Sequence, residues 1–138
     1  MKPTNILVVD DHPLYRDAFC TLLQSARPAL QVIPVETGSQ ALSLTARIPF
    51  DLLIVDYYLK SMSGGDIIRH LRGRAAGSDW RMPPVILVSS QPEVAVFART
   101  LGVAAFLPKP TDADMLRAAL DAVLPAAPEQ ALALGGGS

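Results

Sequence analysis

Short apolar runs alternate along the chain with longer segments in which apolar residues recur every three or four positions. Runs of four or five apolar residues are typical of buried strands, and the longer spacing is typical of helices that cover a core with one face. Five such strand and helix pairs follow one another along the sequence. The alternation predicts an α/β fold, a single doubly wound parallel sheet of five strands with five helices on its two faces.

The predicted elements have definite bounds. We predict strands at residues 6–9, 31–35, 52–55, 85–88 and 103–107. We predict helices at residues 13–26, 39–47, 66–72, 92–101 and 112–124. The segment 73–84 is rich in turn-forming residues, so we expect an exposed loop there with Trp80 as its anchor.

Local signals mark several helix ends. Pro13 suits the first turn of the first helix, and Gly102 ends the fourth helix as a left-handed cap does. Thr111 is predicted to cap the fifth helix, with Asp114 in the position of a capping-box acid. Three apolar residues are predicted on the inner face of the fourth helix: Val94, Phe97 and Leu101.

Length and composition limit the class of protein. The 138 residues are 50% hydrophobic, which suffices for one domain, predicted at residues 4–124. Residues 125–138 begin with proline and alanine and end in Gly-Gly-Gly-Ser, so we expect a flexible linker or an artificial tail. The apolar runs are far shorter than the ~20 residues that span a bilayer, and the N-terminus lacks a secretory signal. We therefore expect a cytoplasmic protein that does not bind membranes.

Charge and cysteine content exclude further classes. Twelve basic and 13 acidic residues give a formal net charge of −1, so no overall field attracts nucleic acid and we expect no direct nucleic-acid binding. Cys20 is the single cysteine, which excludes an internal disulfide and any multi-cysteine metal site. Recognition must therefore depend on local groups.

Polar residues follow four of the five predicted strands. Asp10 and Asp11 follow the first strand, Asp56 the third and Ser89 the fourth, and Lys109 lies just beyond the fifth. Ligands of open parallel sheets bind beyond the carboxyl ends of the strands. We therefore expect these five side chains to converge at one edge of the sheet.

The expected cluster has a definite chemistry. Three neighbouring carboxylates repel one another, so they either share a proton or bind a cation. Oxygen donors favour a hard ion such as Mg²⁺ that keeps several waters and is completed by phosphate oxygens. A carboxylate beside such an ion can attack phosphorus, while Lys109 neutralises developing charge and Ser89 bonds a phosphoryl oxygen.

Each residue also has a local explanation. Asp11 could cap the first helix, and Asp56 could begin a turn. Ser89 and Lys109 could lie in ordinary surface loops. Taken singly, the residues leave these alternatives open, whereas their joint occurrence after four strands favours a site.

Two runs carry a family resemblance: ILVVDDHP at residues 6–13 followed by Arg16, and DYYL at residues 56–59 followed by Gly64. Over about residues 4–124 the chain resembles the CheY-like receiver domains of two-component response regulators. The first run is most similar to receivers of LuxR-type (NarL/FixJ) transcription regulators. The resemblance implies a flavodoxin-like strand order of 2-1-3-4-5.

The resemblance also implies roles for the clustered residues. Asp56 would be the phosphoacceptor and would bind Mg²⁺ directly together with Asp11, while Asp10 would act mainly through water. The backbone carbonyl of Tyr58 would be a further metal ligand. Lys109 would contact the phosphoryl group.

A switch is implied as well. Ser89 would be the switch hydroxyl and Phe106 the switch aromatic, and the bond between Lys109 and Pro110 would be cis. Ser89 would move inward on phosphorylation, and Phe106 would rotate into the vacated space. The surface made by the fourth helix, fifth strand and fifth helix would then change.

The implied function is two-component signalling, with transcription regulation as the expected output. A sensor histidine kinase or phosphotransfer protein would donate the phosphoryl group, and the domain would catalyse its own phosphorylation and dephosphorylation rather than act as an enzyme on other substrates. Five residues on the fourth and fifth helices are candidates to face a partner: Glu93, Ala95, Arg99, Arg117 and Asp121. The same surface, or one made by the first and fifth helices, would serve a homodimer.

The first helix offers a second docking surface for a kinase or phosphotransfer helix, because its apolar stripe is wider than one side of a sheet needs. Four residues make up this predicted surface: Leu14, Tyr15, Ala18 and Leu22. An amphipathic helix is a common partner for such a surface.

The sequence departs from the family pattern after the acceptor. Lys60 stands where proline is usual and Leu59 where methionine is common, and the pair Tyr58 and Gln91 is not the commonest one. A bulky Tyr58 could shield the site from attacking water. This hypothesis predicts that Tyr58→Ala loses its phosphoryl group faster.

Other functions compete with signalling by phosphorylation. A small Mg²⁺-dependent phosphohydrolase also uses an aspartyl nucleophile, but such enzymes usually have a second acid two residues later, where Tyr58 stands. The chain could also be the receiver of a hybrid kinase or a stand-alone receiver. A pseudo-receiver that only binds partners is disfavoured because all five site residues are present.

Overall fold

A computed structural model describes residues 3–125 of the chain. Its sheet has five parallel strands: β1 (Asn5–Val9), β2 (Gln31–Val35), β3 (Leu52–Asp56), β4 (Val85–Ser89) and β5 (Ala105–Pro108). The strand order is β2-β1-β3-β4-β5, which confirms the predicted order. The segment 125–138, predicted to be a linker or tail, lies outside the described residues except for Pro125.

Five helices connect the strands: α1 (Pro13–Ala26), α2 (Gly38–Thr45), α3 (Gly64–Ala76), α4 (Val94–Leu101) and α5 (Ala113–Val123). Helices α1 and α5 cover one face of the sheet, and α2, α3 and α4 cover the other. The predicted α/β fold with helices on both faces is thus confirmed. No helix within residues 3–125 is long and apolar enough to cross a membrane.

Burial on both faces explains the continuous apolar runs of the inner strands. In β1, Ile6 and Val8 point into the layer under α1 and α5, and Leu7 and Val9 point into the layer under α2, α3 and α4. All four are at most 2% exposed. Burying a side chain of this size contributes about 1.5–3 kcal/mol, so these strands are held firmly and can position polar groups at their ends.

The third helix is longer than predicted. It continues to Ala76, so residues 73–76 belong to α3 and not to the predicted loop. Arg74 explains the extension, because its guanidinium bonds the Thr45 hydroxyl and the Leu42 carbonyl, each at 2.9 Å. Arg74 also lies 5.2 Å from the centroid of the Trp80 ring, and Trp80 packs against the core, which confirms it as the anchor of the remaining loop.

The start of α5 differs from the prediction. Asp112 is the N-cap, and its carboxylate accepts a hydrogen bond from the Met115 amide at 2.8 Å. Thr111 does not cap the helix, because its hydroxyl donates to the Pro108 carbonyl instead. Asp114 is not a capping-box acid either, and it pairs with Arg117 at 3.2 Å.

The fourth helix begins two residues later than predicted, at Val94, after a short series of turns. Phe97 was expected on its inner face but is 46% exposed, and Ala98 is buried in its place. Gly102 ends the helix with φ 67°, which confirms the predicted left-handed cap.

Candidate functional site

The predicted polar residues converge at the carboxyl edge of the sheet. Asp10 directly follows β1, and Asp56 is the last residue of β3. Carboxylate oxygens of Asp10, Asp11 and Asp56 lie within 4.8 Å of one another. Asp56 therefore belongs to a cluster of acids, and its alternative role as a simple turn former does not account for this arrangement.

An ammonium group bridges the two buried acids. Asp10 and Asp56 are only 4% and 6% exposed. The Nζ atom of Lys109 lies 3.0 Å from an Asp10 oxygen and 2.7 Å from an Asp56 oxygen. Burying a carboxylate without a partner is costly, so Lys109 offsets the charge that the fold places here.

The pKa values of this group reflect burial and pairing together. Burial raises the pKa of Asp56, and the hydrogen bond and charge of Lys109 offset only part of that increase. For Lys109 burial lowers the pKa, but the hydrogen bonds and charges of Asp56 and Asp10 outweigh it, so the pKa is raised. Lys109 therefore remains a cation at neutral pH.

Backbone amides also bond each carboxylate. Asp10 accepts a hydrogen bond from the His12 amide at 2.8 Å, and Asp56 accepts one from the Tyr58 amide at 3.3 Å. Asp11 accepts one from the Lys60 amide at 2.8 Å. Proline has no amide hydrogen, so the lysine at this position supplies a bond to Asp11 that proline could not make.

Asp11 does not cap the first helix. The N-cap of α1 is His12, whose ring nitrogen Nδ1 accepts a hydrogen bond from the Tyr15 amide at 3.4 Å. Pro13 occupies the first helical position, as predicted. The side chain of Asp11 is consequently directed to the acidic cluster and the Lys60 amide.

The loop after Asp56 returns closely to the end of β3. The Gly64 amide donates to the Tyr57 carbonyl at 2.7 Å. A β-carbon at Gly64 would lie 2.8 Å from the Asp56 carbonyl oxygen, so only glycine fits this approach. Ser63 and Asp66 then form a capping box that fixes the start of α3.

The predicted switch residues lie on the neighbouring strands. Ser89 is 2% exposed, and its hydroxyl accepts a hydrogen bond from the Gln91 amide at 3.0 Å. Phe106 is partly buried and packs against the layer under α2, α3 and α4. The bond between Lys109 and Pro110 is cis, in agreement with the resemblance.

Tyr15 is a member of this site that the sequence did not reveal. Its ring centroid lies 4.3 Å from Lys109 Nζ, and its ring stacks on Phe19 at 6.1 Å. Tyr15 is half-buried, so only part of its side chain is left for the predicted docking surface on α1. The spacing of Tyr15 and Phe19, four residues apart on one helix, was the signal that both face inward.

The rest of the predicted docking surface on α1 is only partly formed. Leu14 is 79% exposed and Ala18 is also exposed, as a docking surface requires. Leu22, however, is half-buried and packs against the core. Of the four residues predicted to form this surface, Leu14 and Ala18 are therefore the exposed ones.

A second set of aromatic rings lies between the loop after β3 and α4. Tyr57 stacks on Phe97 with centroids 5.8 Å apart, and Tyr58 meets Tyr57 edge-on at 5.0 Å. Tyr58 is 51% exposed. Phe97, predicted to lie in the core, thus contacts the residue next to the acidic cluster.

The residues present suit a hard divalent cation. The cluster consists of three carboxylates, two of them buried, which leave an excess of negative charge even after pairing with Lys109. Carboxylate oxygens at this spacing are the ligands that Mg²⁺ prefers. The arrangement can therefore hold Mg²⁺ and present a carboxylate to a phosphoryl group.

The family follows from comparison with known proteins. Residues 6–121 match the family described as the response regulator receiver domain, and the chain belongs to that family. It is a signalling domain of the two-component type with a CheY-like fold. Receiver domains of this kind interact with sensor kinases or phosphotransfer proteins.

Individual relatives vary in length and description. The chain is 33% identical over 118 residues to the sensory/regulatory protein RpfC of Xanthomonas campestris pv. campestris, covering 84% of this chain and 16% of RpfC. It is 31% identical over 121 residues to the nitrate/nitrite response regulator protein NarP of Escherichia coli, covering 87% and 54%. The chain thus spans about a sixth to about half of these relatives.

The fold is shared with solved receivers. The structure of the chemotaxis protein CheY4 of Vibrio cholerae superposes with a TM-score of 0.77, at 24% identity. The match covers 89% of this chain and all of the other. This likeness supports the fold.

Proposed function

We propose that Asp56 is the phosphoacceptor of a two-component signalling domain. The observation that carries this proposal is the position of the Asp56 carboxylate, which is buried beside Asp10 and Asp11 and bonded by Lys109 at 2.7 Å. A buried acid with a cationic partner at the carboxyl end of a central strand can accept a group whose negative charge is neutralised at once. Family membership favours this function over a phosphohydrolase.

In the proposed reaction, an Asp56 oxygen attacks phosphorus in line with the leaving nitrogen of a phosphohistidine. The new bond joins that oxygen to phosphorus, and the bond between phosphorus and nitrogen breaks, leaving an acyl phosphate. The negative charge on the phosphoryl oxygens is close to Lys109, whose ammonium is already bonded to Asp56. Asp10 holds the same ammonium from its other side at 3.0 Å.

Asp10, Asp11, Asp56 and the backbone carbonyl of Tyr58 are the proposed ligands of Mg²⁺. When bound, Mg²⁺ supplies positive charge that offsets the carboxylates and the phosphoryl oxygens. Asp11 is suited to this role because its other partner is a neutral backbone amide, that of Lys60. Asp10 shares its charge with Lys109, in keeping with an indirect role through water.

The proposed switch uses Ser89 and Phe106. The Ser89 hydroxyl, now bonded to the Gln91 amide, would turn to a phosphoryl oxygen, and Phe106 would move into the space released. The surface formed by α4, β5 and α5 would change as a result. Glu93, Ala95 and Arg99 are exposed on or beside α4 and are available to a partner.

The fifth helix adds two candidate partner residues to this surface. Arg117 is exposed, although it pairs with Asp114 within the same helix. Asp121 already bonds Arg27 of α1 at 2.9 Å. We therefore expect Arg117 to contribute more to a partner contact than Asp121 does.

Acetyl phosphate tests the acceptor directly. We expect the protein incubated with acetyl phosphate and Mg²⁺ to gain one phosphoryl group by intact mass, and the gain to disappear in Asp56→Asn or when EDTA removes the metal. Asp79→Asn is the matched control, because Asp79 is exposed and precedes β4 at the opposite edge of the sheet.

Three outcomes would contradict the proposal. Modification that persists in Asp56→Asn would place the acceptor elsewhere. Rapid multiple turnover of small phosphoesters would favour the phosphohydrolase. Absence of any modification in the unaltered protein would leave only partner binding as a function.

We further propose that the output is transcription control of the LuxR type. The run at residues 6–13 supports this output, as does the alignment with NarP over 54% of that regulator. The alignment with RpfC supports a hybrid kinase as the second candidate. The reading frame that encodes the chain decides between them: a helix-turn-helix segment after the receiver agrees with the first, and a kinase segment before it contradicts the first.

A homodimer through α4, β5 and α5 is the proposed form of the active state, with α1 and α5 as the alternative surface. Val96 and Phe97 on α4 and Met115 on α5 are exposed apolar residues of the first surface. We expect sedimentation to show a dimer with beryllofluoride and Mg²⁺, and Val96→Asp to weaken it. A protein that remains a monomer in the presence of beryllofluoride and Mg²⁺ would contradict dimerisation.

A further inference from the structure

The ammonium of Lys109 has three neighbours and three hydrogens to direct at them. Two neighbours are the carboxylates of Asp10 and Asp56, at 3.0 and 2.7 Å. The third is the face of the Tyr15 ring, whose centroid lies 4.3 Å away. A cation within about 6 Å of a ring centroid is attracted to the ring, and more strongly where water is excluded. The Lys109 side chain is only 17% exposed, so water screens this contact little.

The Tyr15 ring is itself held in place. It lies in the first turn of α1, and Phe19, one turn later, stacks on it with ring planes 21° apart. Phe19 is 4% exposed and belongs to the core under α1 and α5. The ring therefore has a rigid support and can set the position of the ammonium.

The Tyr15 ring and the two acids that bind the ammonium also border a small cavity. A cavity of about 10 Å³ lies beneath the site, lined by residues that include Tyr15, Asp10, Asp56 and Phe19. This volume is at the lower limit for a single water molecule. A smaller side chain at position 15 would enlarge the cavity on the side of α1 and allow Lys109 to leave the line between the two acids.

We propose that Tyr15 is a positioning residue that holds Lys109 across Asp10 and Asp56 through its ring face. The inference rests on the proposed phosphorylation of Asp56 and deepens it by naming what fixes the cation at that site. The ring, not the hydroxyl, carries this role. The hydroxyl is buried without a hydrogen bond of normal geometry among residues 3–125, with Thr111 as its polar neighbour.

Two substitutions separate the ring from the hydroxyl. Tyr15→Phe keeps the ring, and we expect it to react with acetyl phosphate as fast as the unaltered protein. Tyr15→Leu removes the ring, and we expect its maximal rate at saturating Mg²⁺ to fall about tenfold, as loss of a desolvated cation–π contact implies. Ser25→Ala is the control, because Ser25 lies on the same helix and is exposed. We expect no change in that variant.

A double substitution distinguishes positioning from general destabilisation. If Tyr15 acts through Lys109, then Tyr15→Leu has no further effect once Lys109→Ala has removed the ammonium. Nuclear magnetic resonance adds a readout that needs neither metal nor phosphate. The Lys109 side-chain protons are expected to show a ring-current shift in the unaltered protein and in Tyr15→Phe, and to lose it in Tyr15→Leu.

The outcomes separate this inference from the proposed function. An unaltered protein that is never modified at Asp56 contradicts the proposed function, whatever the resonances show. If the unaltered protein is modified at Asp56 and Tyr15→Leu is modified at the same rate, the proposed role of Tyr15 is overturned. A Tyr15→Leu effect that persists undiminished in Lys109→Ala overturns it too, as does a Lys109 shift unchanged in Tyr15→Leu.

Discussion

The two helices beside the acidic cluster are held very differently. On the side of α1, the Tyr15 ring is half-buried between the Lys109 ammonium and Phe19. On the side of α4, Phe97 stacks on Tyr57 with ring planes 10° apart, yet 46% of Phe97 is exposed. Both contacts join a helix to the site, but the second is the more exposed to water.

The ends of α1 are also held more firmly than the ends of α4. Helix α1 has 14 residues, and at its end Arg27 bonds Asp121 of α5 at 2.9 Å and the Pro125 carbonyl at 3.0 Å. Helix α4 has eight residues, and its N-cap Glu93 makes no side-chain cap bond. The fold therefore fixes Lys109, the charged partner of Asp56, on the side of α1. On the side of α4 it leaves a helix that is held less firmly. The proposed change in surface lies on that second side.

The same leucine-to-alanine substitution in α1 and in α4 is expected to give the largest difference in stability. Leu23→Ala in α1 removes a side chain that is 0% exposed, and we expect the free energy of unfolding to fall by about 3–5 kcal/mol. Leu101→Ala at the end of α4 starts from 8% exposure, and we expect a loss of about 2–3 kcal/mol. Urea unfolding measures both. Equal losses, or a larger loss for Leu101→Ala, would contradict the comparison.

The C-terminal end of α4 gives an intermediate effect. Gly102 has φ 67°, and a β-carbon there would lie 2.7 Å from the Arg72 guanidinium, which bonds the Leu101 carbonyl. We expect Gly102→Ala to cost about 1–2 kcal/mol in thermal or urea unfolding.

Gly77→Ala is the control for that substitution. Gly77 follows α3 with φ −104°, and no atom lies within 4 Å of a β-carbon placed there. We expect no loss of stability, because a residue other than glycine adopts this conformation without strain. If both variants lose the same amount, the left-handed cap does not hold α4.

Removing the ring on the side of α4 is expected to have the smallest global effect. Phe97→Ala should cost about 0.5–1.5 kcal/mol, since it removes one aromatic pair from a partly exposed position. Hydrogen exchange should become faster in α4 and remain unchanged in α1. The adjacent Val96→Ala, at 69% exposure and outside the stack, should change neither. Faster exchange in α1 would mean that the two sides are coupled.

The inner strands β1, β3 and β4 could be predicted closely because they are buried on both faces and appear as unbroken apolar runs, whereas the edge strand β5 begins two residues later than predicted. The site followed from them, since any acid at the end of such a strand must lie at the same edge of the sheet. Asp10, Asp11 and Asp56 were placed together on this ground, and the structure brings their carboxylates within 4.8 Å.

The errors arose where distant side chains decide between local alternatives. The apolar stripe of α3 stops at Leu71, and the extra turn to Ala76 depends on Arg74 and its bonds to α2. Thr111 and Asp112 are both good caps, and the Pro108 carbonyl determines which one is free to cap α5. Contacts between residues far apart in the chain override local propensity here, and a single sequence does not reveal which residues make them.

Aromatic residues at the margins of a stripe were the hardest to place. Tyr15 and Phe97 each lie at the border between the buried and the exposed face of an amphipathic helix. Tyr15 turned inward because Lys109 and Phe19 receive its ring, and Phe97 turned outward to meet Tyr57. Their orientation was set by rings and charges that arrive from other elements.

The close return of the chain at Gly64 has a consequence for variation at this site. A β-carbon at that position would lie 2.8 Å from the Asp56 carbonyl oxygen and 3.0 Å from the Tyr57 α-carbon, and backbone atoms cannot swing away as a flexible side chain can. In a library in which position 64 is randomised and folded molecules are selected, glycine should be the residue recovered. Position 64, which carries no charge, would thus tolerate fewer substitutions than many of the charged or partner-facing positions.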